Sequence, residues 1–485
     1  MNAQESRILF FSRCLLAGCL AILFSSSACS VVGKTNSSVN DFLKGMYERE
    51  KSAYLGTTNI SGQKITNFEE ALERSVLASE DISLLALSWK KDLLMYEQAK
   101  SQLFPRFSLS AFNRTFFSNE SQRIRNIVDG GIVVDYNFAE LLVFSDVVAI
   151  EREIVKKNIL HSEIAIQKTY EKLLTLLLEI DLYSRIANLY EKEESALRDG
   201  LAAVEKSYGL GRSSLTEVWN WRALLRTAAE KLEESRRNCL QVKQALASLV
   251  GQGGEAEITI SDFQNYSPDI SSTPEIGTKL ADALDSAWKN RSEIRLAEID
   301  LLLSEIAYAK SKKHWTDYFR ISLGFGKYYD YRYDEYANFS INTSISLPLF
   351  HFGDVRRKEL TAQLERDAKR TMITGLARKI MADVEEALAT AKVAYEKFED
   401  ADKRRMEMTK SREVLDNLIG RDRASVLDFF SNAYEALEEE VKFEKTRFDL
   451  KQALIRLKMR QGRLVDRQLE DKLLNKMFKI DDKEQ

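Results

Sequence analysis

Two short turns hold the residues of this chain whose types and spacing could do chemistry. The first, Tyr208-Gly209-Leu210-Gly211-Arg212-Ser213-Ser214, is followed by Glu217. The second, Asn417-Leu418-Ile419-Gly420-Arg421-Asp422-Arg423-Ala424-Ser425, is followed by Asp428. Arg212, Glu217, Arg421, Asp422, Arg423 and Asp428 crowd both signs of charge into these turns, enough for ion pairs between neighbouring copies or for acids that select cations. The bland alternative is charge that only solvates a helix turn. Leu210-Gly211 and Ile419-Gly420 add backbone and small apolar surface that a helical partner could use.

Catalytic chemistry has no such cluster. His161, His314 and His351 are far apart, and no Cys-Cys or His-Glu spacing suits a metal. Neither a phosphate-binding glycine loop nor a nucleophile elbow occurs. The acid-rich runs Glu191-Lys192-Glu193-Glu194 and Glu438-Glu439-Glu440 read as solvated helix faces. The expectation is a non-enzyme with no catalytic residues, no metal and no cofactor. With 71 basic against 74 acidic residues, the balance carries no nucleic-acid signal.

The turns must be positioned by the elements around them, and these come twice. Pro348-Leu349-Phe350 lines up with Tyr136-Asn137-Phe138, Ile294 with Ile82, Tyr308 with Tyr96, Lys312 with Lys100, and Phe319 with Phe107. Lys451-Gln452-Ala453-Leu454 repeats Lys243-Gln244-Ala245-Leu246 in a slightly drifted register. The chain is a tandem duplication of a unit of about 210 residues. Each unit carries a proline-free run, at 145–208 and at 354–417, that would extend about 96 Å at ~1.5 Å per residue as one helix.

Before each run lies a pair of alternating strands. Phe107, Leu109 and Ala111 alternate with Arg106, Ser108 and Ser110; Ile132, Val134, Tyr136 and Phe138 follow a polar loop through Asn119, Glu120 and Asn126. In the second unit Phe319, Ile321, Leu323 and Phe325 oppose Arg320, Ser322, Gly324 and Gly326. Phe339, Ile341, Thr343, Ile345 and Leu347 oppose Asn338, Ser340, Asn342, Ser344 and Ser346. Tyr328, Tyr329, Tyr331, Tyr333 and Tyr336 crowd the connection. Such segments fit a transmembrane β-barrel, or a soluble sheet with one wet face. Four strands cannot close a barrel, so several chains must share one.

The N-terminus reads as an export signal: Arg7 and Arg13, an apolar run from Cys14 to Phe24, then Ser25-Ser26-Ser27-Ala28 and Cys29. The run is too short for a span, which needs about 20 residues. A small residue before a cysteine resembles a lipoprotein cleavage site, favouring Cys29 as the lipidated N-terminus. Cys19, after Leu16-Ala17-Gly18, and simple cleavage after Ala28 remain alternatives. Cys239 would then be a lone, buried helix cysteine.

The order strand pair, long helix, glycine turn, return helix, repeated, resembles the TolC-like outer-membrane efflux protein family over about residues 66–461. Its carriers are Phe68-Glu69-Glu70-Ala71-Leu72, Leu347-Pro348-Leu349-Phe350 with Gly353 and Arg356-Arg357, and the turns at Gly211 and Gly420. The resemblance implies a mainly α chain with a transmembrane β part: a homotrimer with a twelve-stranded outer-membrane barrel continued by a twelve-helix periplasmic α-barrel. It implies a passive exit duct for a tripartite efflux pump or type I secretion, with a periplasmic adaptor and an inner-membrane transporter as partners. It also implies that Tyr208, Leu210, Gly211, Arg212, Glu217, Ile419, Gly420, Arg421, Asp422, Arg423 and Asp428 form the periplasmic aperture and adaptor contact. The family's aperture acids lie six residues after the turn glycine; Glu217 fits, whereas Val426 does not. Its turn tyrosine is kept as Tyr208 and replaced by Asn417, and Tyr136-Asn137-Phe138 replaces a proline triplet. A non-conducting envelope scaffold or adhesin is the competing function.

The expected organisation is a signal peptide at 1–28, a lipid-anchored tether at 29–65, a first repeat at 66–267, a linker at 268–278, a second repeat at 279–461 and a polar, partly disordered tail at 462–485. Strands are expected at about 106–117, 131–138, 319–329 and 338–347, and helices at about 67–102, 145–208, 214–250, 279–313, 354–417 and 425–460.

Overall fold

The computed structural model describes residues 65–102, 104, 106–118, 123–135, 138–251, 260, 262–270, 279–313, 319–330, 333–345, 353–419 and 426–478. Two short helices, α1 (Phe68–Ala78) and α2 (Glu80–Ser101), lead to strands β1 (Arg106–Ser118) and β2 (Arg123–Asp135). The long helix α3 (Phe138–Gly209) and its return α4 (Leu215–Leu249) follow. The second half repeats this order as α5 (Leu280–Asn290), α6 (Ser292–Ser311), β3 (Phe319–Asp330), β4 (Tyr333–Ile345), α7 (Asp354–Ile419) and α8 (Val426–Arg460). One further helix, α9 (Arg467–Phe478), ends the described chain.

Local chemistry explains most of the boundaries. Asn67 caps α1 by accepting from the Glu69 N–H at 3.1 Å. Glu70 does not complete a capping box; it takes Arg74 at 2.6 Å instead. The stretch 279–313 is two helices rather than one, broken at Arg291 (φ −72°, ψ 124°), the counterpart of the break at Ser79 (φ −74°, ψ 120°). An extended residue there starts a new helix axis in both repeats.

The four strands form one antiparallel meander in the order β1-β2-β3-β4. Its register sets whole rows of like residues across the sheet: Phe107, Val134, Leu323 and Ile341 in one, Leu109, Ile132, Phe325 and Phe339 in the next. The neighbouring positions form small or polar rows, including Arg106, Asp135, Ser322 and Asn342. Three expectations are corrected here. β2 starts at Arg123, so Asn126 lies in the strand, opposite Thr115. β4 starts at Tyr333, so Tyr333 and Tyr336 are strand residues and not loop residues. Phe138 opens α3 instead of closing β2: the ladder ends at Arg106 opposite Asp135, and Ala139, Glu140, Leu141 and Leu142 are strong helix formers.

At 72 and 66 residues, α3 and α7 extend about 108 Å and 99 Å at ~1.5 Å per residue. Residues 66–250 and 260–485 form one compact unit in which α3 packs against α4 and α8, and α7 against α8. The core is a series of thin seams. Leu388, Ala391 and Ala394 of α7 meet Leu450, Leu454 and Leu457 of α8. Ile186, Leu189 and Tyr190 of α3 meet Leu232 of α4 with Leu437 and Val441 of α8. Each buried leucine in such a seam contributes about 1.5–3 kcal/mol, an upper estimate. Between repeats, Asp300 of α6 takes Lys157 of α3 at 2.7 Å; within its own repeat it takes Lys369 of α7 at 3.4 Å. Cys239 on α4 is half-buried, less enclosed than expected.

The C-terminal stretch departs most from expectation. Over the described part of the expected polar tail, α9 buries Leu473, Leu474 and Met477 and touches α1 and α3, while 479–485 lie outside the described residues. Their spacing gives the short helix one apolar face, which a charged sequence can still hold down. Lys472 pairs with Glu69 at 2.9 Å, Lys476 pairs with Glu73, and Phe478 lies 4.3 Å from Trp89. The chain reaches this site through Gly462 (φ +68°), where an added Cβ would come within 2.8 Å of the Asn290 backbone. Only glycine suits that position.

Candidate functional site

The first turn is built almost entirely from backbone chemistry. α3 ends in a glycine stop: the Gly211 N–H donates to Tyr208 O and the Arg212 N–H to Ser207 O, both at 2.9 Å. Gly211 takes φ +71°, which a side chain would strain. Ser214 then caps α4, its Oγ accepting from the Glu217 N–H at 3.2 Å. The Glu217 carboxylate accepts from the Ser214 N–H at 3.1 Å, completing a capping box. Glu217 thus has a structural task in the chain itself, which an aperture role would have to share.

The exposed surface of this turn is more apolar than the sequence reading implied. Tyr208 and Leu210 are joined by Leu215 and Trp219, which that reading missed; Leu210 is 64% and Trp219 61% exposed. The signal was present, because Leu215 and Trp219 are one helical turn apart, while Val218 and Trp221 take the buried positions. Arg222 ties the hairpin by pairing with Glu205 of α3 at 2.8 Å.

The second turn is less fully described. Ile419 ends α7 and Asp428 falls in the first turn of α8, whereas Gly420, Arg421, Asp422 and Arg423 lie outside the described residues, as does Cys29. Tyr434, early in α8, packs against the cluster of Leu197 and Val204 of α3 with Val218, Trp221 and Ala228 of α4. The starts of both return helices therefore lie at one end of the bundle.

This arrangement has solved counterparts. A membrane protein from Pseudomonas aeruginosa superposes with a TM-score of 0.68 at 14% identity, covering 82% of this chain and 91% of its own. The Campylobacter jejuni CmeC outer membrane channel gives 0.65 at 13% identity over 89% and 95% of the two chains. The open-state Neisseria gonorrhoeae MtrE outer membrane channel gives 0.62 at 13% over 84% and 93%. The chain has the TolC-like outer-membrane channel fold. No protein-family model and no curated protein matches the sequence.

Within this TolC-like fold the acid-rich runs need correction. Glu193 does not face water: it is 1% exposed, on the seam of α3 between Tyr190 and Leu197. Glu438 of α8 is half-buried and accepts from Lys231 of α4 at 3.0 Å and from the Tyr434 hydroxyl at 2.9 Å. A charge run on a helix must put a member on each face, and here one member falls in the seam. Among the described residues no cluster of three or more His, Cys, Asp or Glu could hold a metal, and no helix is long and apolar enough to cross a membrane.

Proposed function

We propose that the chain is the outer-membrane exit duct of a tripartite efflux pump or type I secretion system. Three copies close their four-stranded sheets into one twelve-stranded barrel, and their helices continue as a twelve-helix periplasmic tunnel. The observation that carries this reading is the sheet. Of its apolar rows, Phe107 is 73% and Leu109 87% exposed, and among the described strands β1 and β4 each have a single neighbour. Lipid covers such rows but does not tolerate open edges, so further copies must pair them. The span from the Phe319 to the Phe325 row is about 20 Å at ~3.4 Å per residue, near the ~25 Å apolar band of a membrane barrel. Exposed Leu84, Leu87 and Leu94 of α2 and Leu360, Leu364 and Met372 of α7 offer further apolar surface for association between copies. A non-conducting scaffold would need neither the apolar rows nor the paired strands.

At the opposite end, the duct meets a periplasmic adaptor coupled to an inner-membrane transporter. Leu210, Leu215 and Trp219 provide the contact, with Tyr208, Gly211, Arg212 and the second turn's Ile419, Gly420, Arg421 and Arg423 beside them. Glu217, Asp422 and Asp428, in three copies each, line the aperture. Exposed pairs are individually worth about 0–1 kcal/mol, so closure depends on many acting together. In planar bilayers the purified protein should form discrete channels. Combining Glu217→Gln, Asp422→Asn and Asp428→Asn should raise single-channel conductance or lower cation selectivity; Gln at 217 retains a capping acceptor. A triple variant that conducts like its parent reduces these charges to solvation, and a parent that never conducts removes the duct itself.

The N-terminus of the mature chain is Cys29, thioether-linked to lipid and embedded in the outer membrane, with Ser30 following. Palmitate label should be lost in Cys29→Ala. Label that persists moves the anchor to Cys19, and a parent that takes none leaves cleavage after Ala28.

A further inference from the structure

Glu193 is buried among apolar residues, and neither of its carboxylate oxygens has a hydrogen-bond partner. Such a group is costly to keep charged unless it is paired. Its place in the fold gives that cost leverage. On one side Tyr190, Leu232, Leu437 and Val441 hold α3, α4 and α8 together; on the other, Leu197, Val218, Trp221 and Tyr434 do so next to the turn. Glu193 interrupts this apolar seam where the first repeat meets the second. The titratable groups around it are Tyr190 on its own helix, Lys231 from α4, and Glu438 and Tyr434 from α8. Lys231, the only cation among them, donates to Glu438, whose same oxygen also accepts from Tyr434. The Lys231 charge is therefore shared with a competing carboxylate.

We propose that Glu193 is a proton-operated latch between the two repeats: protonated, it lets α4 and α8 close on α3 behind the turns, and deprotonated, it loosens that junction. Burial pushes its carboxyl up to about 7 from an ordinary 4.5; the Lys231 charge opposes this, and the Glu438 carboxylate adds to it. A raised folded value means that the closed state binds the extra proton. The contribution is whole below 4.5 and is lost as pH rises through about 7.

Hydrogen exchange over 221–240 of α4 and 431–445 of α8, followed in the full chain from pH 5 to 8.5 and corrected for intrinsic rates, tests this. In the parent the local opening constant should rise by up to about tenfold per pH unit toward pH 7 and then level off. Glu193→Gln should stay closed and flat across the range. Glu438→Gln, which frees Lys231 for Glu193 and removes a like charge, should move the midpoint to lower pH. A flat parent profile, a Glu193→Gln profile with the parent's slope, or an unmoved midpoint in Glu438→Gln would overturn the latch. No conduction is measured, so failure here is separate from failure of the duct.

Discussion

Ile341→Arg is expected to leave the helical bundle folded and to lose the assembled barrel, whereas Asn342→Arg should assemble like the parent. The two positions are adjacent in β4 but belong to opposite faces of the sheet. Ile341 continues the row of Phe107, Val134 and Leu323; Asn342 continues the row of Arg106, Asp135 and Ser322. If the apolar face meets lipid, an arginine near the bilayer midplane costs about 2–4 kcal/mol, and a barrel of three chains carries that cost three times. On the other face the same side chain meets lumen water beside Arg106 and Asp135. The bundle seams, such as Leu388 against Leu450 and Leu454, lie on other elements and keep their packing. The measurement is the heat-modifiable trimer band in the outer-membrane fraction, compared between the two variants. Equal yields would mean that neither face meets lipid, and the barrel would go with it.

The sequence was most informative where a pattern is local and long. Alternation over Phe339 to Ile345 and the proline-free runs needed no knowledge of distant partners, and duplication doubled each signal. The Gly211 stop and a serine cap at 213 or 214 were legible for the same reason, since both act within a few residues; the structure uses Ser214. The failures share the opposite cause. Arg123, Arg125 and Asn126 lie beyond the apolar rows, so alternation says nothing about them, yet the ladder to β1 carries them into strand. Glu193 looks like its exposed neighbour Glu191 until the seam of Ile186, Leu189, Tyr190 and Leu197 is stepped along the helix. Glu217 showed its charge in sequence; its bond to the Ser214 N–H shows only in three dimensions, although the serine three residues earlier was a hint. For α9 the apolar residues were visible, but what holds them comes from the far end of the chain.

That distant contact gives the second large effect: Phe68→Ala should destabilise the bundle by about 3–5 kcal/mol. Phe68 is fully buried, stacked on Tyr266 at 4.4 Å and edge-on to Tyr170 at 5.3 Å. Its N–H donates to the Asp262 carboxylate at 3.0 Å, so one residue ties α1 to α3 and to the short turn at Asp262–Asn265 that ends the first repeat. Burial there is deep enough to push the Tyr170 hydroxyl up to about 12, with Tyr266 adding to the effect. Truncation to alanine removes a ring from a site whose walls belong to three separate stretches, which limits how far it can collapse. The same site receives α9 through Lys472 to Glu69, an exposed pair whose loss in Lys472→Ala should cost far less than loss of the Phe68 ring. Denaturant unfolding of the two variants beside the parent separates packing from charge. If Phe68→Ala lost no more than a weakly affected Lys472→Ala, the aromatic stack would be incidental.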